Sequence, residues 1–208
     1  MKKVLTLAAV FALALLSFTS PAPAQAGDVF RFKGQSASAF FSSTDPTGCV
    51  FTDVFVFASD DALQSPPGPG GAASGAGITI FQFDVCTGTP LLDASGFSSL
   101  APADFQVSAR LNTATLNTTI EVFPFGPYPS PSFPVTINLT WTGTGALSRE
   151  NSHFHFQSEG FMVNTHFNGS FRSAEASGSV SDGVTNFTPE PSSFAQIQSL
   201  KSGTVMIS

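Results

Sequence analysis

The stretch "VTINLTWTGTG", residues 135–145, alternates apolar and polar side chains without a break. Val135, Ile137, Leu139 and Trp141 fall on one side, Thr136, Asn138, Thr140 and Thr142 on the other. Successive Cβ atoms of an extended chain point in opposite directions, so this pattern describes a strand with one buried and one wet face. The period recurs in "VFRFKGQSASAFF" (29–41), where Gly34 marks a bulge or bend, and in "CVFTDVFVF" (49–57) and "ITIFQFDVC" (78–86). In "ATLNTTIEVF" (114–123), Ala114, Leu116, Ile120 and Val122 share a side, and Asn112-Thr113 before it forms a tight turn after "DFQVSARL". The C-terminal "SSFAQIQSLKSGTVMIS" reads as a hairpin turning at Ser202-Gly203, with a short helix through Phe194, Ile197 and Leu200 as the alternative. No other segment after the N-terminus carries a helical period. These patterns predict an all-β fold, an antiparallel β-sandwich or barrel of about ten to twelve strands.

The N-terminus has a different texture. Lys2 and Lys3 precede an apolar run, Val4 to Phe18, too short for a membrane span. A Pro-broken stretch of small residues then closes on Ala24-Gln25-Ala26, the pattern a signal peptidase cuts. Residues 1–26 therefore read as a cleaved signal peptide, and residues 27–208 as a single exported all-β domain, extracellular or periplasmic. No cysteine follows the apolar run to carry a lipid, and no second long apolar run predicts membrane insertion after cleavage. Removing residues 1–26 takes two lysines and no acids, leaving 6 basic and 14 acidic side chains, net −8. Without a basic cluster, that balance argues against a nucleic-acid partner.

Cys49 and Cys86 are the only cysteines, and an exported chain meets an oxidising compartment. They end two β-rich runs of equal length, separated by "ASDDALQSPPGPGGAASGAG" (58–77), whose residues predict a loop. Antiparallel pairing with Phe57 opposite Ile78 places Cys49 opposite Cys86, at cross-strand bonding distance. A structural disulfide is expected. "PFGPYPSPSFP" (124–134) is a Pro-rich connection that a sheet cannot accommodate. It divides the mature chain near its middle, but two halves of that size would each be marginal alone.

All three histidines lie in "SHFHFQSEGFMVNTHF", residues 152–167. A turn at Glu159-Gly160 sets Ser158 opposite Phe161 and His153 opposite His166, and His155 leaves the same face. Phe154, Phe156, Val163 and Phe167 then leave the other face, which reads as the core side. Asn168-Gly169 is read as a further turn, so that Asn164 and Ser173 stand in the row beside His155, with Glu175 one row on, able to orient the rings. Three imidazoles on adjacent strands can chelate zinc.

Other chemistry is thinly represented. There is no G-x-S-x-G elbow and no phosphate-binding glycine loop. Asp60-Asp61 lack the further oxygen ligands that calcium needs. Trp141 and Tyr128 are the only candidates for a sugar platform, and Trp141 belongs to the buried alternation. Asn117, Asn138, Asn168 and Asn186 begin N-x-S/T sequons that matter only on a eukaryotic secretory route. Two functions remain: a non-enzymatic exported β-domain, binding or structural, without a cofactor; or a zinc protein, such as a hydrolase, using His153, His155 and His166.

Overall fold

The computed structural model describes residues 28–65, 73–125, 131–158 and 161–207. The expected signal peptide with its Ala26–Gly27 junction, the expected Glu159-Gly160 turn and Tyr128 lie outside the described residues. Ten strands follow one another: β1 (Asp28–Thr44), β2 (Val50–Ser65), β3 (Ala73–Asp84), β4 (Thr89–Ser99), β5 (Phe105–Val107), β6 (Thr113–Pro124), β7 (Phe133–Gly143), β8 (Ser148–Ser158), β9 (Phe161–Ser181) and β10 (Phe194–Ile207). There is no helix among the described residues. The strands form one antiparallel sheet in the order β10-β1-β2-β3-β4-β6-β7-β9-β8, with β5 beside β6. β10 also pairs with β9, so the ladder that leaves β1 through β2 returns to it through β10. The thinnest link is β4–β6, which rests on Ala94↔Pro124 and Ser95↔Phe123.

The alternating patterns fill one interior. β7 buries Val135, Ile137, Leu139 and Trp141 and exposes the polar residues between them. Ala114, Leu116, Ile120 and Val122 of β6 face the same core, joined by Val54 and Val56 of β2 and Ile78 and Ile80 of β3. Trp141 is fully buried, and its indole Nε1–H donates across the interior to the Ser38 carbonyl of β1 at 2.9 Å. That bond satisfies the one polar atom a buried tryptophan brings with it. Polar rows of Thr and Asn cover the outer side of β6 and β7, as in the Asn117↔Asn138 and Thr119↔Thr136 pairs.

Cys49 and Cys86 are disulfide-bonded, with Cα atoms 5.2 Å apart. The register beneath them differs from the expected one. Ile78 stands opposite Val56, not Phe57, and the ladder ends at Val50↔Asp84. The bond lies just beyond the paired strands, in two turns that side-chain carboxylates hold. Asp84 Oδ1 accepts from the amides of Cys86 and Thr87 at 2.8 and 3.0 Å, bending the chain toward Gly88, whose φ is +72°. Asp45 Oδ1 accepts from the amides of Cys49 and Val50 at 2.9 and 2.8 Å. The Thr47 hydroxyl and the Val50 amide hold the Asp45 carboxyl below its ordinary pKa, and the Thr87 amide does the same for Asp84.

Several other expectations are corrected. β2 and β3 run deep into the supposed loop, pairing Ala58↔Ala76, Ser59↔Gly75 and Asp60↔Ser74. Small residues do not prevent backbone pairing, and the exposed Asp60 accepts the Gln35 amide on its Oδ1 at 2.6 Å. The reversal before β6 spans Ser108 to Thr113, wider than Asn112-Thr113; the Ser108 Oγ accepts from the amides of both Asn112 and Thr113 at 2.9 Å. Pro124 and Pro134 lie within β6 and β7 at the ends of the ladder, so the connection is shorter than 124–134. The C-terminus is neither hairpin nor helix. β10 is one strand bonded on both sides, to β1 and β9, and Lys201-Ser202 form an irregularity where a turn was expected. The bulge at Gly34 is present, between Phe32 and Gly34 in the pairing with β10.

Candidate functional site

β8 and β9 form the histidine hairpin in the expected register, with Ser158↔Phe161, His153↔His166 and His155↔Asn164. The three imidazoles are exposed. His155 Nδ1 lies 2.5 Å from Asn164 Oδ1, which fixes that ring against its cross-strand neighbour. Ser173 and Glu175 are not nearby. β9 continues through Asn168-Gly169 without turning, and Gly169 packs against the Ser199 carbonyl of β10, where a Cβ would collide. Ser173 therefore pairs with Gln196 and Glu175 with Thr142, about 30 and about 36 Å along the strand from Asn164. Nor is the phenylalanine side of β8 a core: Phe154 and Phe156 are 49% and 47% exposed. Among the described residues, no group of three or more His, Cys, Asp and Glu side chains is arranged to hold a metal ion.

A different surface emerges from the register of β1 to β4. With Val54 and Val56 paired to Ile80 and Ile78 inside, every intervening aromatic residue goes outside. One row crosses the sheet as Phe194, Phe40, Phe55, Thr79, Ser95 and Phe123. The next on one side holds Phe57, Gly77 and Phe97; the next on the other holds Asp53, Phe81 and Asp93. Phe51 and Phe83 follow. Phe81 and Phe97 are each 36% exposed and Phe123 57%, while Phe51, Phe55, Phe57 and Phe83 are half-buried. The rings pack on one another, with centroids 6.3 Å apart for Phe55–Phe57, 6.2 Å for Phe57–Phe97 and 6.3 Å for Phe81–Phe83.

Glycines make room for this layer. A Cβ at Gly77 would run into the Phe57 ring and one at Gly75 into the Phe97 ring, so two phenyl groups lie flat on bare backbone. Rings over glycine restore the packing that a side chain would have given the strand. Sequence patterning missed this face because "VFVF" and "TIFQF" are apolar at both parities. The legible signal was chemical: aliphatic residues keep one parity and phenylalanine the other.

Within the face, one carboxylate stands out. Asp53 lies between Phe51 and Phe55 on its own strand and opposite Phe81, and its Oδ1 is buried without a hydrogen-bond partner. Elsewhere, a cleft of about 300 Å³ is lined by Gln82, Leu91, Leu92, Phe133, Asp182, Thr185 and Phe187. Two of its polar groups are engaged: Gln82 donates to Thr52 Oγ1, and Asp182 Oδ1 accepts from the amides of Val184 and Thr185.

The fold and this surface define the chain as an all-β protein with an aromatic outer face. No family model matches the chain, and no curated protein matches it. Among solved structures, a crystal structure of a Nitrosomonas europaea protein, provisionally assigned as AttH, is similar over 89% of this chain and 56% of that one, at 8% identity and a TM-score of 0.26. The chain thus spans little more than half of that protein's length, and a likeness of this degree carries no conclusion about fold or role.

Proposed function

We propose that this is an exported, non-enzymatic β-domain that works by binding, as an extracellular or envelope component, through the phenylalanine face of β1 to β4. One observation carries the proposal: a face that β-proteins ordinarily cover with polar residues carries packed phenyl rings instead, from Phe194 to Phe123. Large contiguous apolar patches are rare on isolated proteins and mark sites of interaction. Phenyl rings supply contact area and no proton transfer, which favours recognition over catalysis. The ligand is apolar, and the acidic balance of residues 27–208, net −8, favours a cationic ligand over an anionic one. The disulfide is compatible with the oxidising compartment to which residues 1–26 would direct the chain.

A zinc protein is the second function, favoured by the alignment of His153 with His166 and the projection of His155 on the same face. Intact mass and metal analysis of unchelated protein from the exported fraction separate the two. The expected result is a chain beginning at Gly27, with no lipid and less than stoichiometric zinc. A mass retaining Lys2 and Lys3 contradicts export by cleavage. One bound zinc per chain, lost on His155→Ala, replaces the binding function with the metal one.

A further inference from the structure

We propose that the Asp53 carboxylate, with Phe51, Phe55, Phe81 and Phe83, forms a binding site for an organic ammonium ion bearing apolar substituents. The proposal rests on the aromatic face being a binding surface and specifies which ligand that surface takes. Two independent observations meet at this position. The first is the ring of phenyl groups. Phe51 and Phe55 flank Asp53 along β2, Phe81 stands directly opposite on β3, and Phe83 occupies the diagonal. Neighbours at these positions have Cβ atoms roughly 5–8 Å away, close enough for their side chains to border one small site. The second is the carboxylate, whose Oδ1 is buried yet accepts no hydrogen bond.

An unpaired carboxylate oxygen in apolar surroundings is costly, and a fold has no structural reason to keep one. Among the described residues, no lysine or arginine occupies a neighbouring position of the sheet: the cross-strand residues are Ser42 and Phe81, and Phe81 is in turn opposite Asp93. With no cation beside it in the sheet, the charge that compensates this half-buried carboxylate is assigned to a ligand. The chemistry of the site selects its kind. A hard metal ion needs several oxygen ligands, and phenyl rings offer none. An ammonium ion surrounded by carbon groups is attracted by aromatic faces and by a single carboxylate, and it sheds water cheaply. The Asp53 charge, flanked by phenyl groups on two strands and with Asp93 beyond Phe81, matches such a cation.

The test uses choline and its uncharged isostere 3,3-dimethylbutan-1-ol, titrated into the disulfide-intact protein and followed by the amide resonances of residues 51–55 and 79–83. Choline is expected to bind about ten-fold more tightly than the alcohol. Asp53→Asn should erase that difference, whereas Asp93→Asn should preserve it. Asp53→Leu, which removes the orphan oxygen, should raise the melting temperature, as expected of a residue kept for a ligand rather than for the fold. Equal binding of choline and alcohol, a preference for choline that survives Asp53→Asn, or a fall in melting temperature on Asp53→Leu would each overturn the proposal. Loss of the preference for choline while the face still takes up a neutral apolar probe would refute the ammonium site alone and leave the binding face standing.

Discussion

Trp141→Ala is expected to lower the unfolding free energy by about 3–5 kcal/mol, the cost of emptying the space of a fully buried aromatic side chain. Trp141 is the largest of the fully buried side chains, and it is tied to the far side of the interior through the Ser38 carbonyl. Trp141→Phe separates the two contributions. It keeps much of the apolar volume and removes the donor, so its smaller loss should include about 1 kcal/mol for the hydrogen bond. Urea denaturation followed by far-ultraviolet circular dichroism measures both variants without the tryptophan as reporter. An alanine variant within about 1 kcal/mol of the parent would mean that the interior does not close around this residue.

Removing the disulfide is the second large effect. The bond spans a sequence separation of 37, and in the chain-entropy model closing such a loop is worth about 4 kcal/mol. The Cys49→Ser/Cys86→Ser protein, compared with the oxidised parent by denaturant titration, should lose roughly that amount with little change in native spectrum. The native ladder from Val50↔Asp84 to Asp61↔Ala73 does not need the bridge for its register, and the two turns beyond it are held by Asp45 and Asp84. A variant equal in stability to the oxidised parent would show that those turns already restrict the unfolded chain as much as the bond does.

The strand content and the interior were legible wherever one parity is apolar and the other polar. β6 and β7 are the clearest cases, and their buried residues are the expected ones. The histidine register was legible for a different reason: a short hairpin has few ways to close, and Ser158↔Phe161 fixes every later pair. Legibility ended where both parities are apolar. In β2 and β3, valine and isoleucine compete with phenylalanine for the interior, and pairing the cysteines directly opposite each other gave a register one residue from the true one. Such a slip exchanges the faces of one strand relative to its neighbour, which is why the outer aromatic face was not foreseen. Turn composition misled at two places. Ser202-Gly203 and the glycine-rich start of β3 have turn-forming residues, but partners on both sides hold them extended. The phenylalanines of β8 show the converse error. Phe154 and Phe156 alternate as core residues should, but β8 is the last strand of the order and nothing among the described residues buries them.

The binding face is tested most directly with a neutral apolar fluorophore, N-phenyl-1-naphthylamine, which tells contact with the rings apart from attraction to charge. Titrated into the oxidised protein, it should show saturable binding. In a Phe81→Ser/Phe97→Ser variant, whose two substitutions lie outside the core, its affinity should drop about ten-fold or more at an unchanged native spectrum. Asp53→Asn should leave that binding intact. No saturable uptake by the parent, or uptake that the double variant retains in full, would contradict a function carried by the phenylalanine face.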